Sequence, residues 1–204
     1  MRQYKNEQSG RSMIEMMGYI AVVMSITVSV GYLVSKAYGD YKFSKASLQL
    51  SDLANSITKA GAIEPNYAEI VSMVNDKDNA EGKKIIPETF RVNENGQSRQ
   101  IYHAFGGSVT IGHPDGDTTK FSIKFDNLNR NQCIEMAMKD WLQNKYADLY
   151  SITVNTAQQW NWPVYSGSSG NTLPIKRSAV AGKTADDTGA CSEATGNNIM
   201  WVFN

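Results

Sequence analysis

The pattern of apolar and polar positions divides the first third of the chain into two regimes. From Met16 to Ser35, twenty residues, MMGYIAVVMSITVSVGYLVS, carry no charge. A run of that length crosses the hydrocarbon core of a bilayer as a helix. Glu15 is the charge at its start, and a carboxylate in such a place is costly without a partner and marks a functional position. Further on, Phe43, Ala46, Leu50, Leu53, Ile57 and Ala60 recur at gaps of three and four, which is one face of an α-helix. Lys45, Gln49, Asp52, Ser56 and Lys59 fall on the other faces. No proline lies between Arg11 and Glu64. The pattern predicts one helix from about Met13 to Lys59, roughly 70 Å long. It is apolar all round in its first half and amphipathic in its second, and it ends at Gly61 and Pro65. The amphipathic half needs a globular partner for its stripe. Gly18, Gly31 and Gly39 interrupt the helix, each at a cost of about 1 kcal/mol against alanine. They read as close packing on neighbouring helices, with bending or melting at Gly31 and Gly39 as the alternative.

Downstream the periods change. Residues 62–107 read as irregular, with a short helix around Asn66–Asn75 and then the polar stretch Asp76–Lys84. Ser108–Gly112 reads as a strand, His113–Asp117 as a turn, and Thr119–Asp126, TKFSIKFD, as a half-buried strand by its alternation, so the two strands form a hairpin. Asn129 and Gln132 form an N-cap pair ahead of Ile134, Ala137, Met138, Trp141 and Leu142, which predicts a helix over Arg130–Tyr146. Tyr150–Asn155 alternates as a strand. Thr156–Thr184, rich in Ser, Gly, Asn and Trp, reads as an exposed loop region, and Asn198–Phe203 as a closing strand. This order of elements gives an α+β class: an antiparallel sheet lying on the amphipathic half of the long helix.

Composition narrows the chemistry. The 204 residues have room for one domain of ordinary size and an anchor. Twenty basic and twenty acidic residues balance, without the clustered basic face that nucleic-acid binding needs. Cys133 and Cys191 stand outside any C-x-x-C pattern. In an exported protein such a pair is one disulfide; in a cytosolic protein it is two buried thiols, a reading the apolar segment argues against. His103 and His113 have no ligand or nucleophile spacing around them, and His113, ahead of a Pro-Asp-Gly turn, reads as solvated. Asp115 and Asp117 lack the remaining positions of a calcium loop. Gly182-Lys183-Thr184 ends like a P-loop, but that pattern requires a glycine where this chain has Arg177. Trp160 and Trp162 fit packing beneath the loop better than a sugar platform. No enzyme, cofactor or metal site is expected.

Residues 1–10, MRQYKNEQSG, are polar and slightly basic, and the apolar run follows Gly10. A secretory signal carries its apolar stretch before the cut; a cut after Gly10 leaves the anchor on the chain. A glycine followed by an apolar helix whose fifth residue is Glu resembles the signature of type IV pilins and their relatives. Several features narrow the resemblance to type IVb pilins of the bundle-forming and conjugative thin-pilus kind. They are Cys133 near the start of the second helix, Cys191 close to the C-terminus, Phe105-Gly106-Gly107 before the first strand, Ala190-Cys191 after a Thr-Ala segment, and a short final strand. Arg11 departs from the apolar first mature residue usual in the family.

The resemblance implies a leader over 1–10, a transmembrane and filament-core helix over 11–36, and a head over 37–204. A Cys133–Cys191 disulfide would bound the head's C-terminal loop region. A prepilin peptidase would cut between Gly10 and Arg11 and N-methylate Arg11. Glu15 would meet the positive N-terminus of a neighbouring subunit during assembly and set the stagger. The implied partners are further copies of the chain in a helical filament, an assembly ATPase with its inner-membrane platform, and an outer-membrane secretin, with no nucleic acid. Arg2 and Lys5 ahead of the run place the N-terminus in the cytoplasm. The head is then periplasmic, the precursor sits in the inner membrane, and the product is an extracellular pilus serving adhesion, aggregation or conjugative mating contact. A type II secretion pseudopilin, a minor or adhesin pilin and, from another class, a single-pass anchored enzyme stand as alternatives.

Overall fold

A computed structural model of the chain describes residues 9–62, 66–94, 96, 98–141, 149–155, 162–166, 173–181 and 189–204, without the side chains of 9–12 and 162. Helix α1 runs Ser9–Gly61, and the chain divides into two compact units between Tyr41 and Lys42. In the first unit every residue of α1 from Met13 to Tyr41 is exposed.

In the second unit, α1 buries Ala46, Leu50, Leu53, Ala54 and Ile57, with Phe43 and Ala60 partly buried against the same core. This is the stripe that the three-four spacing predicts. Gln49 departs from its expected outward face and is buried. Its Nε2 donates to the Thr89 carbonyl at 2.6 Å, and its Oε1 accepts from the Ala104 amide at 2.8 Å. With both ends of the amide bonded, its burial is tolerable, and one side chain fastens two loops to the helix. Gly61 serves packing at the helix end: a Cβ there would overlap the ring of Tyr67, which itself packs on Phe121 at 4.8 Å. Pro65 lies outside the described residues.

Among the described residues, seven strands form one antiparallel sheet. They are β1 (Arg91–Asn93), β2 (Gln100–Tyr102), β3 (Ser108–Gly112), β4 (Phe121–Leu128), β5 (Leu149–Asn155), β6 (Trp162–Ser166) and β7 (Asn197–Phe203), in the order β1-β2-β3-β4-β7-β5-β6. The β3–β4 hairpin is the predicted one, with Val109 opposite Phe125 and Ile111 opposite Ile123. Its turn is a single 3₁₀ turn at Pro114–Gly116. The Asp117 carboxylate is spent within that turn. Lys120 Nζ at 2.6 Å, then the Thr119 hydroxyl and amide, hold its pKa down to about 2. His113 is half-buried, where solvation was expected; its Nδ1 lies 3.0 Å from the Lys120 carbonyl. Strand β7 lies between β4 and β5, so Trp201 pairs with Ile123 on one side and Ile152 on the other. Phe121, Ile123, Phe125, Ile152, Ile199 and Trp201 are fully buried, and Phe125 and Trp141 both meet Trp201 edge-on, at 5.3 and 5.7 Å.

Three stretches differ from the expectation. Residues 62–107 contain α2 (Ala68–Asn75), close to the short helix expected, but also α3 (Ala80–Ile85), β1 and β2. Two strands therefore precede Ser108, which was expected to open the sheet. Helix α4 (Arg130–Met138) stops well short of Tyr146. Lys139 is extended (ψ 139°), and Trp141 folds back to donate its Nε1–H to the Met136 carbonyl at 3.0 Å; residues 142–148 lie outside the described residues. The expected loop Thr156–Thr184 includes β6 and α5 (Arg177–Ala181), and Val164, Tyr165, Ile175 and Val180 are buried in the core. Trp160 and the Trp162 side chain are outside the described set.

Candidate assembly helix and disulfide-closed head

Gly10 and Arg11 lie in the first turn of α1, and Glu15 follows about one turn on, exposed. Around it Met13, Ile14, Met16 and Met17 are between 62% and 74% exposed. Apolar surface left in water costs roughly 25 cal/mol per Å², so this face of the molecule requires lipid or other protein. The polar residues within the run do not break its character. The hydroxyls of Ser25, Thr27 and Ser29 donate to the carbonyls of Val22, Val23 and Ser25 at 2.8–2.9 Å, which keeps these donors paired in an apolar medium. A Cβ added at Gly18, Gly31 or Gly39 would meet nothing within 4 Å. Any close packing at these glycines comes from outside the chain.

The head is closed by a disulfide between Cys133 and Cys191, both fully buried, with Cα atoms 5.9 Å apart and a sequence separation of 58. Local sequence places each cysteine. The Asn129 side chain accepts from the Gln132 amide at 2.9 Å while the Gln132 side chain accepts from the Asn129 amide at 3.0 Å. This reciprocal cap fixes the first turn of α4, which carries Cys133. The Cys191 amide donates to the Val180 carbonyl at 2.9 Å, and Arg130 Nη2 donates to the Ala181 carbonyl at 2.9 Å. Asn197, fully buried, donates from Nδ2 to the Leu128 and Glu193 carbonyls at 3.1 and 2.7 Å. The segments around the two cysteines are thus tied to one another by backbone-directed bonds.

No motif signalled Arg99. Its side chain is wholly buried. Nη1 donates to the Val74 carbonyl at 2.9 Å, Nη2 to the carbonyls of Lys77 and Asn79 at 3.2 and 2.9 Å, and Nε to Glu94 at 3.2 Å. It thereby occupies carbonyls at and beyond the end of α2, where intrahelical donors run out. Lys83 first, then Arg99, holds the Glu94 carboxyl below its ordinary pKa.

His103 is a satisfied core residue. Its Nδ1 accepts from the Phe105 amide at 3.2 Å, which assigns the proton to Nε2, 2.9 Å from the Asp126 carbonyl. Its ring stacks on Phe125 at 4.7 Å. Burial pushes its pKa below the ordinary imidazole value. Gly107 is required beside it, because a Cβ there would overlap the Asp126 carbonyl oxygen. Among the described residues no three His, Cys, Asp or Glu side chains are placed to hold a metal ion.

The described chain is thus an exposed apolar helix followed by a disulfide-closed α+β head. The family model described as PilS N terminal matches residues 66–204, and the chain belongs to that family. It is a type IV pilin, a structural subunit of a pilus polymer. TcpA, a type IV pilin from Vibrio cholerae El Tor biotype, is similar in structure, with a TM-score of 0.46 and 10% identity over 80% of this chain and 99% of that one. No curated protein matches the chain in sequence.

Proposed function

We propose that the chain is made as an inner-membrane precursor, cut between Gly10 and Arg11 by a prepilin peptidase that also methylates Arg11, and polymerised through α1. In this reading residues 1–10 are the leader, 11–36 the transmembrane and filament-core helix, and 37–204 the head, with the N-terminus cytoplasmic and the head periplasmic before assembly. An assembly ATPase on its membrane platform extracts the subunit, and the fibre leaves through an outer-membrane secretin to serve adhesion, aggregation or conjugative mating contact. The observation that supports this reading is the complete exposure of α1 from Met13 to Tyr41 beside a head that is closed on its own core.

Glu15 supplies the register. No Lys, Arg or His lies between Met13 and Ser35, so the cation available in the apolar zone is the α-amine at residue 11. Side chains project sideways from a helix, which favours the amine of a staggered neighbour. A pair about 4 Å apart at an effective dielectric of about 20 is worth roughly 4 kcal/mol before desolvation. The net is smaller, but an unpaired buried charge is worse, so one stagger is favoured.

In cells lacking other pilin, Glu15→Ala is expected to leave a stable, cleaved subunit in the inner membrane and few or no fibres, with Glu15→Asp partly restoring them. Abundant normal fibres from the Ala variant would refute the role of Glu15. Gly10→Val is expected to block cleavage, and an intact mass that retains residues 1–10 in the native fibre would refute the processing scheme.

A further inference from the structure

A groove of about 600 Å³ opens over β2, β3 and the loop that joins them. Five exposed side chains of its lining are of one chemical kind. Ser98, Gln100, Ser108, Thr110 and Asn127 are exposed along it, and each can donate and accept hydrogen bonds without carrying a charge. Tyr102 stands half-buried among them, its hydroxyl donating to the Gln100 side-chain carbonyl at 2.9 Å. The Arg91 guanidinium lies 4.7 Å from the centre of the Tyr102 ring, yet Arg91 does not line the groove. The cation takes one face of the ring.

Two of the charges near the groove, Arg99 and Asp126, are already committed, and the exposed Arg91 stands outside its lining. Arg99 lies beneath it, wholly buried, with its guanidinium bonded to the carbonyls of Val74, Lys77 and Asn79 and to Glu94. Asp126 accepts from the hydroxyls of Ser108 and Thr110 at 3.2 and 3.4 Å and pairs with Lys124 at 3.1 Å. Among the described lining residues, an anionic or cationic ligand finds no uncommitted counter-charge.

From this combination we infer that the groove binds uncharged saccharide. A pyranose ring presents hydroxyls that both donate and accept, matched by the side-chain amides and hydroxyls, and a C–H face that covers an aromatic ring. The volume lies within the range of about 300–1,000 Å³ typical of ligand sites. A fibre repeats the groove in each subunit, so weak single-site binding multiplies into avidity. The inference goes beyond filament formation and does not depend on Gly10, Arg11 or Glu15.

The test uses the detergent-solubilised full-length protein on an array of neutral hexose and N-acetylhexosamine oligosaccharides beside sialylated and uronic-acid counterparts. Binding to at least one neutral probe in preference to the acidic ones is expected. Tyr102→Ala and Gln100→Ala should each weaken it about tenfold, while Lys176→Ala, away from the groove, leaves it unchanged. A thermal melt checks that each variant folds. Should Tyr102→Ala fail to fold, Thr110→Val decides, since it removes a groove hydroxyl and keeps the ring. Failure of the full-length protein to bind any neutral probe at millimolar concentration overturns the inference, as does a preference for acidic probes. Binding that the groove variants leave intact also overturns it. Groove variants that lose fibre assembly, in a protein that binds no saccharide, would mark the groove as a contact between subunits and equally overturn it.

Discussion

The two stretches of α1 put apolar residues to opposite uses. From Lys42 to Gly61 an apolar residue recurs every third or fourth position, and Ala46, Leu50, Leu53 and Ile57 are each at most 1% exposed. From Met13 to Tyr41 apolar residues are far denser, and not one of them is buried. Density of apolar sequence therefore does not decide what a chain covers with its own fold. One sheet face can cover one stripe of a helix, while a helix apolar on all sides needs surroundings on all sides. In the proposed function lipid supplies them to a precursor and sister helices supply them in a polymer. Leu48 marks the transition: it belongs to the second stretch and is still 60% exposed.

The sharpest way to break this contrast is to open the head. Cys133→Ser or Cys191→Ser releases a loop whose closure is worth about 4 kcal/mol in the chain-entropy model. Loss of the head's cooperative melting transition and of subunit abundance is expected, and a variant melting like the wild type would show that the disulfide is not what closes the head. A matched pair of substitutions in α1 comes next. Leu53→Ala, at a fully buried position, should destabilise the head by about 2–5 kcal/mol in denaturant titration. Leu33→Ala, at a position 62% exposed, should leave that titration unchanged and show itself only as fewer or shorter fibres. Equal destabilisation by the two would erase the distinction between the stretches.

The smallest effect is the dependence of head stability on pH through His103. Its folded pKa is depressed by burial. Above the ordinary imidazole value of about 6.5, folded and unfolded states are both neutral there and the contribution is complete. As pH falls below that value, the unfolded state takes up a proton that the buried ring refuses, so stability drops until the lower folded pKa is reached. Thermal melts between about pH 7.5 and 5.5 should show a fall that His103→Asn flattens. Asp117, with a pKa of about 2, loses its contribution only in a more acidic window, so the two titrations separate. A wild-type melting point that does not move over the higher range would contradict the buried, neutral assignment.

Much of this was legible where the signal is local. The β3–β4 hairpin follows from the alternation in TKFSIKFD and the Pro-Asp-Gly turn before it, and the cap of α4 follows from Asn129 and Gln132. The stripe of α1 follows from spacing alone. What escaped is set by distant partners. Gln49 sits at a position where a helical wheel expects solvent, and it is buried because Thr89 and Ala104 come to it from far along the chain. Arg99 reads like any surface arginine until three distant carbonyls and the nearby Glu94 surround it. Trp141 continues the apolar period of α4 in sequence, yet the backbone leaves the helix before it, at Lys139, and the indole packs from outside. Strands of three residues, as β1 and β2 are, are too short to show alternation. Gly10, Arg11 and Glu15 were singled out by spacing and span length and stand as proposals, while the groove on β2 and β3 left no motif because its residues converge only through strand pairing.

The place of β7 has a consequence in time. The described sheet has no direct seam between β4 and β5; residues 197–203 join them. A head exported in chain order behind its membrane helix, as the proposed function has it, delivers the other six strands before the one that connects them. Until it arrives, β4 presents an open edge, and β5 with β6 is a two-stranded ribbon of the kind that is marginal alone. On that proposal the head is expected to stay loose in transit and to set in one late event. Cys191 lies just ahead of β7, so on the same proposal oxidation would seal the head as the sheet is completed.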